Sequence, residues 1–289
     1  MTEPSPAPNL PVFYARPVPL DARQHASWRL LGGDAAFAAD TPWLPITVSE
    51  FVASSRCYPI VFVGAGREVS PVAVLGLEKA NLFVEAGRWA EDVYVPAYVR
   101  RYPFVLIAAP DRQTFALGID EASSRIAQGG EAGVALFEPG GAAAEITKQA
   151  MEFCRLFNLD AGRTGAFCQA LADAGVLAER RAEVALNSGR KLGLVGFQVI
   201  DPQKLLELPN ETVLEWHRSG WLALAYYHLS SMDRFLALVP RQSRRDGAPA
   251  AAPAAKASET PPPAPVTEAP AAEVSGKQTK TGGRSFFKR

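Results

Sequence analysis

The apolar pattern capable of building a core stops at Arg241, and that break limits the folded part of this chain more than any motif does. Residues 247–275 are mostly Ala and Pro with scattered charges. Such a composition buries too little apolar surface to offset the entropy of ordering it. Upstream of the break, short Val/Ile-rich runs give way to helical periodicity and then to strands again, an order that predicts an α+β fold. The expected organisation is a flexible leader over residues 1–9, one α+β domain over 10–240, and a disordered Ala/Pro-rich tail over 241–289 with a basic-aromatic end.

Charge follows the same division. The 289-residue chain is formally neutral, yet from Arg241 onward nine Lys/Arg face four Asp/Glu, which leaves residues 1–240 at −5. An acidic body argues against nucleic-acid binding, which needs a concentrated basic face. Three scattered cysteines, Cys57, Cys154 and Cys168, make no CxxC pair and no disulfide framework. The N-terminus lacks the basic and apolar regions of a signal peptide. No apolar run approaches the roughly 20 residues that span a bilayer. These features together predict a soluble, cytoplasmic protein.

Local signals fill in the elements. Thr47-Val48-Ser49-Glu50 has capping-box form and predicts a helix from Val48 to about Ser55. Tyr58–Val63 and Pro71–Leu77 read as strands around Gly64-Ala65-Gly66, with Asn81–Glu85 as a third. Pro96–Arg101 predicts one helical turn. Phe104–Ala108 and Thr114–Ile119 form a hairpin whose register, continued backwards, sets Arg100 and Arg101 near Asp120 and Glu121. Ile146, Ala150, Phe153, Cys154 and Phe157 mark one helical face. A break at Asn158–Gly162 before a second helix, Thr164–Leu177, predicts a central helical hairpin. Ala182–Leu186 and Leu192–Ile200 read as strands around Asn187-Ser188-Gly189. C-terminal helices follow at Pro202–Leu208, capped by Asp201, and at Asn210–His217, with Gly220 ending or bending the latter. The fold is thus antiparallel β-hairpins packed with a central helical hairpin and C-terminal helices.

Chemistry is sparsely signalled. Gly64-Ala65-Gly66 fails the GxGxxG pattern at its last position, and Gly189-Arg190-Lys191 lacks the Walker spacing. His25, His217 and His228 form no HxxxH element, and no GxSxG elbow exists. His217 and His228 would share a face only if their helix ran unbroken through Gly220. No catalytic residue, metal ligand or cofactor is expected. The densest unusual stretch holds Asn81, Trp89, Tyr94, Tyr98, Arg100, Arg101 and Tyr102. Aromatics with arginines build either a small-molecule pocket or a partner hot spot. The plainer alternative is that Asp120 and Glu121 neutralise the arginines while the aromatics fill the core. In the tail, Lys277, Lys280, Arg284, Phe286 and Phe287 supply a basic-aromatic end suited to weak docking on an acidic partner or an anionic membrane surface; a solubilising extension is the plainer reading.

Several runs resemble the SapC family: Tyr58-Pro59-Ile60-Val61-Phe62, Leu75-Gly76-Leu77 with Asn81-Leu82-Phe83-Val84, and Tyr94-Val95-Pro96-Ala97-Tyr98-Val99-Arg100-Arg101-Tyr102-Pro103-Phe104. Ile119-Asp120-Glu121, Leu136-Phe137, Gly220-Trp221-Leu222 and His228-Leu229 follow in the same order. The likeness spans about Leu10 to Pro240. It implies a bacterial accessory protein linked to surface-layer or outer-membrane-associated export or uptake, with an export- or envelope-associated partner and no motif that assigns catalysis. The residues themselves keep a second reading open: an enzyme or small-molecule-binding domain using the stretch 81–102.

Overall fold

The computed structural model describes residues 10–108, 114–186 and 189–247, and its architecture is α+β. Five antiparallel strands form the main sheet, in the order Leu177–Ala185, Lys191–Ile200, Ile60–Val63, Ser70–Val74 and Trp43–Pro45. Its central strands are Val- and Ile-rich because both faces are covered. Phe62 packs on one face against Phe167 and the His228 ring. Gln198 is the cross-strand partner of Phe62, so its neighbour Phe197 points to the other face, where it meets Phe235 of the last helix. A smaller sheet joins Pro17–Pro19, Phe115–Asp120 and Phe104–Ala108, with Phe104 opposite Ile119 as the expected hairpin requires. Its turn at 110–112 lies outside the described residues, as do the leader and residues 248–289.

The expected central helical hairpin is instead one helix of 29 residues, Glu145–Asp173. At 1.5 Å per residue it extends about 43 Å, enough to serve two cores. Its first half gives Cys154 to a cluster with Trp28, Phe104, Ile119 and Leu136. Its second half gives Phe167, Cys168 and Leu171 to the main core. Asn158 and Gly162 each cost a helix roughly 1 kcal/mol or less. Burying apolar side chains on either side of them outweighs that.

Other boundaries moved for similar reasons. Of Asn81–Glu85 only Val84–Glu85 is a strand, paired with Arg88–Trp89. The Asn81 amide instead bonds Ala38 O (3.1 Å) and accepts from Phe83 N (2.9 Å), so its side chain competes with the ladder. The second helix, expected to reach Leu177, ends at Asp173, and Leu177 opens a strand that extends to Ala185. The charges of Glu179, Arg180 and Arg181 hide that strand from an apolar pattern. Helices at Pro202–Leu206 and Asn210–Ser219 match expectation, with Asp201 capping Gln203 N at 3.0 Å, and the aromatic run after Gly220 forms a further helix, Trp221–Ser231. Gly220 takes φ 80, a left-handed value that glycine tolerates, and separates the last two. The last helix, Arg234–Arg245, continues past Arg241 with Pro240 inside it. Gln242 is buried there because Glu78 (3.1 Å) and Asp246 (3.0 Å) accept its amide protons, a polar burial that no apolar pattern reveals.

Continuity of the long helix is testable at Gly162, where an added Cβ meets nothing within 4 Å. Gly162→Ala is expected to raise stability by roughly 0.5–1 kcal/mol in urea unfolding. A loss of stability would restore the break.

Candidate functional site

Glu50 organises the aromatic-arginine stretch. Its carboxyl group is buried and accepts four bonds from neutral donors. Oε2 takes Thr47 N (2.8 Å) and Thr47 Oγ1 (3.0 Å), closing the expected capping box. Oε1 takes Tyr94 OH (3.1 Å) and Ala97 N (2.6 Å), the start of the short helix Ala97–Arg100. Arg100 Nη2 then donates to Tyr94 OH (3.0 Å) and Arg100 Nε to Val95 O (3.1 Å). A relay of three groups, Arg100 to Tyr94 to Glu50, fixes the exposed guanidinium. Burial, then the neighbouring Glu50, lifts the Tyr94 phenol to about 12, so it stays a donor.

The remaining sequence-selected residues divide sharply. Trp89 Nε1 donates to Tyr58 OH at 3.2 Å, and Tyr58 OH donates to Tyr94 O. Arg101 turns inward, its guanidinium carbon 4.1 Å from the Tyr98 ring centre and 4.4 Å from that of Phe157. Asp120 and Glu121 do not neutralise Arg100 or Arg101, contrary to the register argument. The Asp120 carboxyl accepts Arg16 N (2.7 Å), Ala15 N (3.2 Å) and Tyr102 OH (3.1 Å), while Glu121 pairs with Arg16. The first strand of the smaller sheet, unforeseen in the sequence, brings those donors alongside Asp120.

Arg100 forms part of the wall of two cavities. The smaller, about 230 Å³, is bounded by Glu50, Tyr94, Phe153, Leu156 and Asp160. The larger, about 420 Å³, holds Arg88, Arg100 and Arg125 with Asp34, Phe37 and Trp89. Arg125 Nη1 donates to Tyr102 O at 2.6 Å, while its buried Nε has no hydrogen-bond partner. Gly33 permits this approach, since a Cβ there would lie 2.5 Å from Arg125 Nη2. Among the described residues, no carboxylate lies within ion-pair distance of these three arginines. Sequence reasoning missed Asp34, Phe37, Arg88 and Arg125 because they come from three segments far apart in the chain, around residues 34–37, 88 and 125, that no spacing rule connects. Glu50 was legible only as a cap.

The other reactive residue types are placed apart. His217 is exposed on one helix and His228 is fully buried on the next, so the two do not share a face. His228 Nε2 accepts Ile200 N at 3.0 Å. Burial lifts the thiols of Cys154 to about 11 and Cys168 to about 12, which keeps both protonated. Among the described residues, no group of three His, Cys, Asp or Glu side chains is placed to hold a metal ion, and no helix is long and apolar enough to cross a membrane. Lys277, Lys280, Arg284, Phe286 and Phe287 lie outside the described residues.

Compared with known protein families, residues 20–238 match the SapC model. The chain belongs to the SapC family. No curated protein and no solved structure matches it. The matched region includes the whole stretch 81–102 and every residue of the larger cavity, so the arginine-lined wall sits within the SapC portion of this chain.

Burial holds His228 down at about 3, far below its ordinary value of 6.5. The unfolded chain therefore binds a proton that the fold rejects as pH falls from about 6.5 towards 3. That group removes stability by about 1.4 kcal/mol per pH unit across the window. Urea unfolding at stepped pH checks this, and His228→Gln is expected to flatten the decline.

Proposed function

We propose that this SapC-family chain is a binding protein without a catalytic role, a cytoplasmic accessory of surface-layer or outer-membrane-associated export or uptake. On this reading it grips an anionic group of its partner or cargo through Arg88, Arg100 and Arg125. The observation that carries it is Arg100, pinned by Tyr94 and Val95 yet exposed on a wall where Asp34 is the lone carboxylate against three arginines. Arginines held in fixed geometry suit bidentate recognition of carboxylate or phosphate. The buried carboxyl groups nearby support binding rather than chemistry, because Glu50 and Asp120 are occupied in holding backbone N–H groups.

Cavity size favours a second reading of the same site. At about 420 Å³ the larger cavity falls within the range of small-molecule pockets, roughly 300–1,000 Å³, whereas the 230 Å³ one falls below it. Phe37 and Trp89 would then pack on the body of an anionic metabolite.

Capture from native cells tests the proposal, with the bound fraction analysed for proteins and metabolites alike. The wild-type chain is expected to recover an export- or envelope-associated protein. Arg100→Ala, with its side chain on the surface, is expected to cut recovery about tenfold or more without loss of stability. Removal of residues 248–289 leaves the last helix whole and separates any contribution of the tail. Recovery indifferent to Arg100 would sink the proposal. A stoichiometric metabolite lost with Arg100 would establish the second reading instead.

A further inference from the structure

The last helix closes on three arginines with no acidic partner. Arg241, Arg244 and Arg245 stand at i, i+3 and i+4, so they share one face. Together they line a cleft of about 290 Å³, opposite Leu82, Val84 and Glu85. Like charges at this spacing repel one another. The negative end of the helix dipole favours Arg244 and Arg245, which stand in the last turn, and acts less on Arg241 one turn back.

Glu85 in the cleft wall offsets one of the three charges, and Asp246 is not free to offset another. Asp246 is bound by Arg190 at 2.6 Å and by Gln242 at 3.0 Å. Asn81, at the cleft floor, has both amide atoms engaged with Ala38 and Phe83. Among the described residues, none of the three arginines has an ion-pair partner. Arg241 is held against the cleft by aromatic contact, its guanidinium carbon 4.3 Å from the Phe83 ring centre. Burial and then Arg244 draw its proton affinity below the usual arginine range. A cation kept in a half-buried position against repulsion is poised for an anion from outside.

We propose that this cleft binds a phosphate dianion, presented as a phosphomonoester, between Arg241, Arg244 and Arg245. Three guanidinium groups less the Glu85 carboxylate leave two formal positive charges. A phosphomonoester carries about −1.5 to −2 at neutral pH and offers three acceptor oxygens, whereas a single carboxylate would leave the cleft cationic. Arginine forks match phosphate geometry bidentately. Leu82 and Val84 give the ester's organic part an apolar wall. A soluble organic phosphate and a phosphatidic-acid head group share this chemistry. The cleft has no residue in common with the Arg88, Arg100 and Arg125 cavity, so its existence does not depend on the function proposed above.

Calorimetric titration of the full chain with glycerol 3-phosphate, beside sedimentation with phosphatidylcholine vesicles carrying phosphatidic acid, tests the site. Arg244→Gln combined with Arg245→Gln alters two exposed side chains, and binding is expected to weaken about tenfold or more through lost charge-assisted bonds. Arg155→Gln, at an exposed arginine of the long helix paired with Glu152, is expected to leave it unchanged. Loss of glycerol 3-phosphate binding in the double variant supports a soluble ester. Vesicle binding alone, lost in the same variant, supports the head group. No binding to either probe, or binding that survives the double variant, overturns the proposal.

Discussion

A single buried carboxyl group, that of Glu50, sets where the aromatic-arginine stretch lies. It faces four neutral donors and no cation: the backbone and hydroxyl of Thr47, the phenol of Tyr94 and the N–H of Ala97. Burying a carboxylate is costly unless its oxygens are satisfied. Here each oxygen takes two bonds, and the two sets of donors lie about 50 residues apart in sequence. The Thr47–Glu50 turn is in turn tied to the long helix, since Val48 N donates to Thr164 Oγ1 at 3.0 Å. The capping box, the short helix and the long helix therefore form one mechanical unit, and Arg100 is the surface group it presents.

The second constraint is the reach of the long helix. Cys154 and Phe167 belong to different apolar clusters, so one rigid rod fixes the smaller sheet relative to the main one. Arg101 lies along that rod, stacked between Tyr98 and Phe157, and serves packing rather than recognition. Adjacent arginines thus have opposite fates. Arg100 at the last turn of its short helix faces outward, and Arg101 turns into the aromatic cage.

Much of this was legible in the sequence. Val/Ile runs, the Asp201-Pro202 start and Gly220 as a divider each rest on local physics, and each appears where that physics puts it. The family likeness was legible too, from ordered runs such as Tyr94–Phe104. What failed was local punctuation overruled by long-range burial. Gly162 reads as a breaker until both halves of its helix find cores, and Asn81 reads as strand until its side chain finds Ala38 O. The site was half legible. Composition marked Trp89, Tyr94 and Arg100, but Asp34 and Arg125 come from loops that no spacing rule connects. Asp120 was paired with the wrong partners because the Pro17–Pro19 strand, too short to leave a pattern, delivers Ala15 and Arg16 instead.

Urea unfolding of Glu50→Gln addresses this account most directly. An amide in place of the carboxylate turns one of its two acceptor atoms into a donor that meets other donors. The expected loss is about 2–3 kcal/mol, together with release of Tyr94 and Arg100. Unchanged stability, with Arg100 still fixed, would mean that the carboxyl group does not hold this surface together.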